Sequence, residues 1–483
     1  MMKKNYIYQL FVAIVGVYGC CAYASNLNLP APLEKAYART GLPDGALGLW
    51  IAAAGSREPV FAVNADQLMR PASVIKVVTT LAGLDILTPS YRWYTTFSAQ
   101  SKPNAKGEIK GFTITGGGDP HYVIERVWLM AERLSEMGVR RIVGDIGIDR
   151  TLFAERITMR DQGAFDGAAT RTYNVGPDAF LVNFKAVSVH FAPDTSAARA
   201  DISVMPRLQG VSFPRSVPLS KGPCTDYRKS LKARFHGDGR VEFKGSYPAA
   251  CGSKTWHVSR WGEETYLTRL LGHVFSKVGI EWRGSTIPVS THAAHVLFTE
   301  ESEPLSQITT YINKFSNNPM ARHLFLTLSL TDPEAATGPA TYDRSRQVLR
   351  NWMTAKDITN PQSVYLDNGS GLSRDAKASP RALGEILSYG WRSRVMPEYV
   401  ASFPMAGVDG TMSKRGLRTG SAHIKTGYLA NARSIAGYVT DVNGQRWVVV
   451  AMINAEKIQH DKAFLDEVLN WCGSGMKIQT IKQ

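Results

Sequence analysis

The sequence predicts an α/β (α+β) protein whose main domain is split, with domains rich in β structure inserted between its two pieces. Three observations carry that expectation. The stretch RPASVIKVVTT at 70–80 opens an apolar helix, whereas 421–471 reads as strand, strand, hairpin turn, strand and helix. A third chemistry-bearing stretch, YINKFSNNPMARHLFL at 311–326, lies about 240 residues beyond the first. Structureless connections rarely exceed about 15 residues, so such an interval has to hold folded insertions.

Residues 1–24 read as an export signal. Lys3 and Lys4 form the basic n-region, residues 10–18 the apolar h-region, and Ala22, Tyr23 and Ala24 a small-x-small cleavage site, so that the mature chain starts at Ser25. Gly19-Cys20 also resembles a lipoprotein cleavage box, although Tyr18 is bulky for it. The apolar stretch is short and wrongly flanked for a membrane span, and nothing later approaches 18 uninterrupted apolar residues; no transmembrane anchor is expected.

With 483 residues and 44% hydrophobic content the chain can bury a large core, and its length suits about two to four domains. The net charge of +15 loses two units with the signal, which still favours anionic surroundings such as cell-wall polymers or lipid headgroups. The charge is spread, without the Lys/Arg blocks interleaved with aromatics that mark nucleic-acid binding, and export argues against nucleic acid as well. Three cysteines remain in the mature chain. In an oxidising compartment Cys224 and Cys251, which close a turn-rich loop, are the expected disulfide, worth ~3 kcal/mol, with Cys472 buried and free; the sequence leaves other pairings open.

The first piece of the split domain, 25–88, ends in the helix that 70–80 begins. Six of the seven residues from Val74 to Thr80 are β-branched, a poor helical composition. Yet Val74, Val77, Val78, Leu81 and Leu84 recur at helical spacing behind Pro71, and a helix apolar nearly all round must be buried. Ser73 then sits in the first turn, at the positive end of the helix dipole, with Lys76 on the same face. Burial lowers a lysine's pKa, which makes this a nucleophile with a base beside it. Serine and lysine also fall at this spacing by chance; Ser474 and Lys477 do so between glycines in a polar tail, with no helix following.

Residues 89–185 alternate strand-like runs such as GFTITGGGDP with a helical stretch near 122–137. Residues 186–250 read as short strands with many turns. A helical pattern at 264–278 marks a return to the first insertion over 251–288, and 289–483 completes the split domain. In that last piece Ser316-Asn317-Asn318 falls between two helical patterns, and Lys425-Thr426-Gly427 ends a short strand ahead of an Asn443-Gly444 hairpin. GGGDP lacks the ending of a phosphate loop, and His292 and His295 lack a His-Glu-x-x-His helix; no cofactor or metal is expected.

In this order S-x-x-K, S-x-N and K-T-G resemble the signature of the penicillin-recognising serine enzymes. The chain is most similar to the penicillin-binding protein 4 type, the D-Ala-D-Ala carboxypeptidase and endopeptidase family of peptidase class S13, with GGGDP, GDIGID (144–149), DNGSGLSR (367–374) and AGVDGTM (406–412) as supporting stretches. The resemblance spans nearly the whole mature chain. It implies a β-lactamase/transpeptidase-like catalytic domain and two insertions, the second nested in the first.

It also implies roles. Ser73 attacks the carbonyl of a D-Ala-D-Ala type amide, Lys76 takes its proton, Ser316 relays it and Asn318 holds the substrate amide. Lys425 keeps the other lysine neutral and attracts the substrate carboxylate, with Thr426 as a hydroxyl donor. Gly427 lets substrate lie against the strand edge, and the backbone amides of Ser73 and Tyr428 form the oxyanion hole. Many relatives carry serine or threonine where this chain has Tyr428. Asp166, in FDGAA, is either an acid reaching the cleft to meet a diaminopimelate amine or a solvated turn residue. The expected partners are peptidoglycan stem peptides with D-Ala-D-Ala ends or diaminopimelate cross-links in the periplasm, and β-lactams as covalent inhibitors. Residues 466–470 mimic the class A β-lactamase glutamate motif only with the wrong acid and in the wrong place, so fast penicillin hydrolysis is not expected. The rival reading is a cell-wall-binding scaffold on the same fold with little turnover.

Overall fold

The computed structural model describes residues 27–154, 166–167, 170–290, 293–332, 338–418 and 420–476. The export signal with Cys20, and also His292 and Lys477, lie outside these residues.

The two ends of the chain meet in one antiparallel sheet. Its strands run in the order Ala422–Leu429, Ala432–Thr440, Arg446–Asn454, Leu47–Ala53 and Phe61–Val63, with Leu49 opposite Ala451 and Lys425 opposite Ala436. Both faces are covered, so the central strands are apolar throughout rather than alternating. Leu49, Ile51 and Val449 pack on one face with Leu33 and Tyr37 of helix Ala31–Ala38 and with Phe464, Leu465 and Val468 of helix Asp461–Gly473. Trp50, Val450 and Met452 face the other way, onto helices Lys76–Leu87, Asn318–Leu328 and Pro380–Arg392.

Helix Lys76–Leu87 illustrates how burial overrides propensity. Val77, Val78, Leu81 and Leu84 are fully buried, and packing around the whole circumference outweighs the few tenths of a kcal/mol each β-branched residue costs. Asp85, the charged residue near its far end, accepts hydrogen bonds from Trp352 Nε1 at 2.8 Å and Tyr389 Oη at 2.9 Å and pairs with Lys356 at 2.9 Å. The Asn443-Gly444 turn closes a five-residue connection rather than a tight two-residue one. Thr440 pairs with Arg446, and the Asp441 carboxylate accepts from the amides of Asn443 at 2.8 Å and Gln445 at 3.0 Å.

Between the two halves the chain builds two further five-stranded sheets. One joins Thr286–Val289, Ile146–Asp149, Thr113–Thr115, Tyr94–Ala99 and His295–Glu301, and helices Ile124–Glu136 and Glu263–Lys277 share its apolar core. The other joins Tyr247–Pro248, Ser216–Ser220, Arg199–Met205, Val187–Asp194 and Lys254–Val258. Two strand pairings cross boundaries expected from composition. Lys254–Val258 pairs with Val187–Asp194, across the expected boundary at 250. His295–Glu301 pairs with Tyr94–Ala99, across the expected boundary at 288. Both strands are edge additions by residues distant in sequence, which local composition does not report.

Cys224 and Cys251 are joined by a disulfide that closes a loop of sequence separation 27, and Cys472 is buried and free. Loop-entropy reasoning gives that cross-link ~3 kcal/mol. A Cys251→Ser variant is therefore expected to unfold at lower urea concentration, with its first transition confined to the 187–258 sheet, as hydrogen exchange of that sheet's amides would report.

Candidate active site

Ser73 lies in a 3₁₀ turn, Ala72–Ile75, that leads directly into helix Lys76–Leu87. That turn is held from two sides. Ser434 Oγ donates to the Pro71 carbonyl at 2.5 Å, and Gly371, at φ +78°, comes so close that a Cβ there would sit 2.0 Å from the Ala72 oxygen. The residues 367–374 are thus pressed against the start of the helix, where Thr79 Oγ1 donates to the Gly369 carbonyl at 2.7 Å.

Lys76 is fully buried. Its Nζ lies 3.1 Å from Ser73 Oγ and 2.7 Å from Asn318 Oδ1, and it also bonds the Ser370 carbonyl. Asn318 Nδ2 donates to the Tyr173 carbonyl at 3.2 Å, which fixes which end of the amide faces the lysine. Burial, then the charges of Lys425 and Arg322, push the Lys76 pKa well below the usual lysine range. A neutral amine has two N–H groups and one lone pair. Asn318 Oδ1 and the Ser370 carbonyl can only accept, so they take the two N–H groups and leave the lone pair for the Ser73 hydroxyl.

Ser316-Asn317-Asn318 joins helices Leu305–Phe315 and Asn318–Leu328. Ser316 adopts the left-handed conformation, φ 57°, which ends the first helix and turns its hydroxyl toward Lys425. Asn317 caps the second helix, its Oδ1 accepting from the Met320 amide at 3.0 Å. The middle residue is therefore structural, and it releases its two neighbours for the site.

The edge strand Ala422–Leu429 carries Lys425, Thr426 and Gly427 in its interior rather than at its end. Lys425 is fully buried; its Nζ donates to Ser316 Oγ at 3.0 Å and to the Thr426 carbonyl at 2.7 Å. Burial lowers its pKa to about 7. Thr426 Oγ1 donates to Thr411 Oγ1 at 2.9 Å. The segment that supplies Thr411 is tied to the Ser316 helix, because Asp409 pairs with Lys314 and a Cβ on Gly410 would lie 2.5 Å from the Lys314 carbonyl.

The glycine requirement at 427 differs from the expected one. A Cβ there would meet Ser434 Oγ at 2.3 Å, the Pro71 carbonyl at 2.8 Å and Ala72 Cβ at 3.1 Å. It would point inward to the Ser73 turn rather than outward to the strand edge, so glycine is needed to seat that turn on the sheet. Tyr428 is largely exposed. Asp166 is exposed too, but it accepts from Tyr173 Oη at 2.6 Å and from Asn174 Nδ2 at 2.7 Å. Since the Tyr173 carbonyl accepts from Asn318, Asp166 stands one residue away from the Lys76 network.

The structure thus brings Ser73, Lys76 and Asn318 into one hydrogen-bonded group and Ser316, Lys425 and Thr426 into another. It adds the Ser370 carbonyl, Thr411, Arg322 and Tyr173, to which sequence reasoning gave no role. Gly369 and Gly371, both at positive φ, were the visible sign that residues 367–374 approach something closely. Among the described residues no group of three or more His, Cys, Asp or Glu side chains is placed to hold a metal ion, and no helix is long and apolar enough to cross a membrane.

Comparison with known proteins agrees with this geometry. The model of the D-Ala-D-Ala carboxypeptidase 3 (S13) family matches residues 29–471. A D-alanyl-D-alanine carboxypeptidase from an Actinomadura species is 25% identical over 425 residues, spanning 82% of this chain and 76% of that protein. The D-alanyl-D-alanine carboxypeptidase DacB of Haemophilus influenzae is 23% identical over 446 residues, spanning 89% of this chain and 88% of that one. Among solved structures, penicillin binding protein 4 from Haemophilus influenzae superposes with a TM-score of 0.72 at 20% identity, covering 92% of this chain and 99% of that one. The same protein complexed with a β-lactam gives 0.68.

Proposed function

This chain belongs to the D-Ala-D-Ala carboxypeptidase 3 (S13) family, and from that premise we propose that it is an exported, periplasmic serine DD-peptidase. Its substrates are peptidoglycan stem peptides, from which it removes terminal D-Ala and whose D-Ala-diaminopimelate cross-links it cuts. The observation that carries the reading is the placement of Lys76: fully buried, its Nζ 3.1 Å from Ser73 Oγ and bonded to two pure acceptors, Asn318 Oδ1 and the Ser370 carbonyl.

In acylation Ser73 Oγ attacks the carbonyl carbon while Lys76 accepts the hydroxyl proton. The C–N bond breaks as that proton reaches the leaving amine through Ser316, which Lys425 holds. The new bond is an ester to Ser73. Charge on the tetrahedral oxygen falls to the backbone amides of Ser73 and Tyr428, where losing one donor typically costs about 2.7–4 kcal/mol. Charged Lys425 and Thr426 take the substrate carboxylate, and Asp166 with Tyr173 flanks the wall where a diaminopimelate amine would lie. Water, deprotonated by Lys76, then attacks the ester carbonyl, the bond to Ser73 Oγ breaks, and Lys76 returns the proton to that oxygen. β-Lactams enter by the same attack, and their acyl group stays on Ser73.

The test is mass spectrometry of muropeptides, pentapeptide monomers and cross-linked dimers, after incubation with the mature protein and with Ser73→Ala. Loss of D-alanine or splitting of dimers by the parent alone is the expected result. Substrates left intact by both proteins would overturn the peptidase reading in favour of a binding scaffold.

A further inference from the structure

Tyr428 is the most exposed large apolar side chain among the described residues, at 72%. It is not loose. The Arg433 guanidinium lies 3.5 Å from its ring centroid, close enough for a strong cation–π contact. Arg433 stands directly opposite on the neighbouring strand and is itself nearly enclosed, at 11% side-chain exposure. It is fixed there by Asp461 at 3.0 Å, by the Ala432 carbonyl at 3.0 Å and by the Leu429 carbonyl. One face of the phenol ring is therefore pinned against a buried cation, and the other is presented to solvent.

Its position says what that free face can meet. Side chains alternate along a strand, so Tyr428 projects on the same side as Thr426, one period further on and about 7 Å away. On the peptidase reading, Thr426 and Lys425 receive the carboxylate of the leaving residue. The tyrosine ring thus borders whatever else that residue carries. In a terminal D-Ala the carbon next to the carboxylate bears a methyl group. In a diaminopimelate cross-link it bears a chain of three methylenes.

We infer that Tyr428 is a specificity-determining residue for the leaving group: its free face takes the methylene chain of a diaminopimelate-type leaving residue, which the methyl of D-Ala is too short to cover. The inference rests on the peptidase reading. Because the Arg433 stack already holds the ring in place, covering it costs little further side-chain ordering. A flat platform gives less than an enclosing pocket per methylene, so the preference for an extended chain is expected to be roughly tenfold in kcat/KM.

The experiment compares N-acetylated L-Lys-D-Ala-D-X peptides in which X is D-Ala or D-norleucine, using the mature protein and its Tyr428→Ser and Tyr428→Phe variants. Tyr428 is exposed, so neither change removes core packing. The parent and Tyr428→Phe should favour the D-norleucine peptide by roughly tenfold in kcat/KM, and Tyr428→Ser should bring the ratio close to one, chiefly through KM. A parent that cleaves both peptides equally well, or a Tyr428→Ser variant that keeps the parent's ratio, overturns this inference alone. A parent that cleaves neither peptide overturns the peptidase reading and this inference with it.

Discussion

A Lys76→Met variant should acylate Ser73 with penicillin roughly 10²–10⁴-fold more slowly than the parent, the range a positioned general base supplies. Methionine keeps all of the side chain's length but its last atom and removes the amine, so the turn around Ser73 retains most of its packing. It leaves Asn318 Oδ1 and the Ser370 carbonyl without their donor, but it also ends the desolvation of a group that burial already disfavours in its charged form. The variant should therefore stay folded, which its circular dichroism would report. Stopped-flow labelling with a fluorescent penicillin gives the rate, and Ser73→Ala sets the background. The informative comparison is with Lys425→Met. If Lys425, whose pKa falls to about 7, were the base, its loss would slow acylation more than the loss of Lys76; that order of effects would reject the assignment made here. A Lys76→Met protein that acylates at the parent rate would reject it as well.

The parts of this site legible in the sequence share one property: each is a side chain whose neighbours in the chain already determine its surroundings. Ser73 and Lys76 sit on one helical face within a run apolar enough to require burial. Ser316 and Asn318 fall where two helical patterns break. The residues that went unassigned act through pairings of distant segments. The Ser370 carbonyl is a backbone group with no identity of its own, and only the approach of residues 367–374 to the Ser73 turn brings it to Lys76. Thr411 becomes relevant because Gly410 packs against Lys314. Gly427 was recognisable as a required glycine, but the reason depended on which way its missing Cβ would point, and that is fixed by Ser434 and Pro71. Strands Lys254–Val258 and His295–Glu301 pair across the boundaries expected from composition for the same cause: their sheet partners lie far away in the chain.

The dependence on pH separates the two lysines. Lys76 must be neutral to accept the Ser73 proton, and its pKa is lowered well below the ordinary value, so kcat/KM should rise with pH as Lys76 loses its proton, and do so at lower pH than an ordinary lysine would. Lys425 must be charged to take the substrate carboxylate. Burial brings its pKa to about 7, so above that pH kcat/KM should fall by about tenfold per unit. In kcat the same limb should lie at higher pH, because a bound carboxylate favours the charged amine. Folding stability carries the matching signature. The unfolded chain holds its lysine protons up to the ordinary pKa near 10.4, whereas folded Lys425 releases its own near 7. Between those values the unfolded state binds more protons, so this group's contribution makes the fold more stable as pH rises and less stable as pH falls, with no further change below about 7. The limiting slope is about 1.4 kcal/mol per pH unit. Urea midpoints measured at pH 7 and pH 9.5 should therefore rise more in the parent than in Lys425→Met. Equal pH dependence of stability in the two proteins, together with activity that stays flat above pH 8, would show that Lys425 keeps its proton and that the neutrality of Lys76 rests on burial and on Arg322 as well as on a permanently charged neighbour.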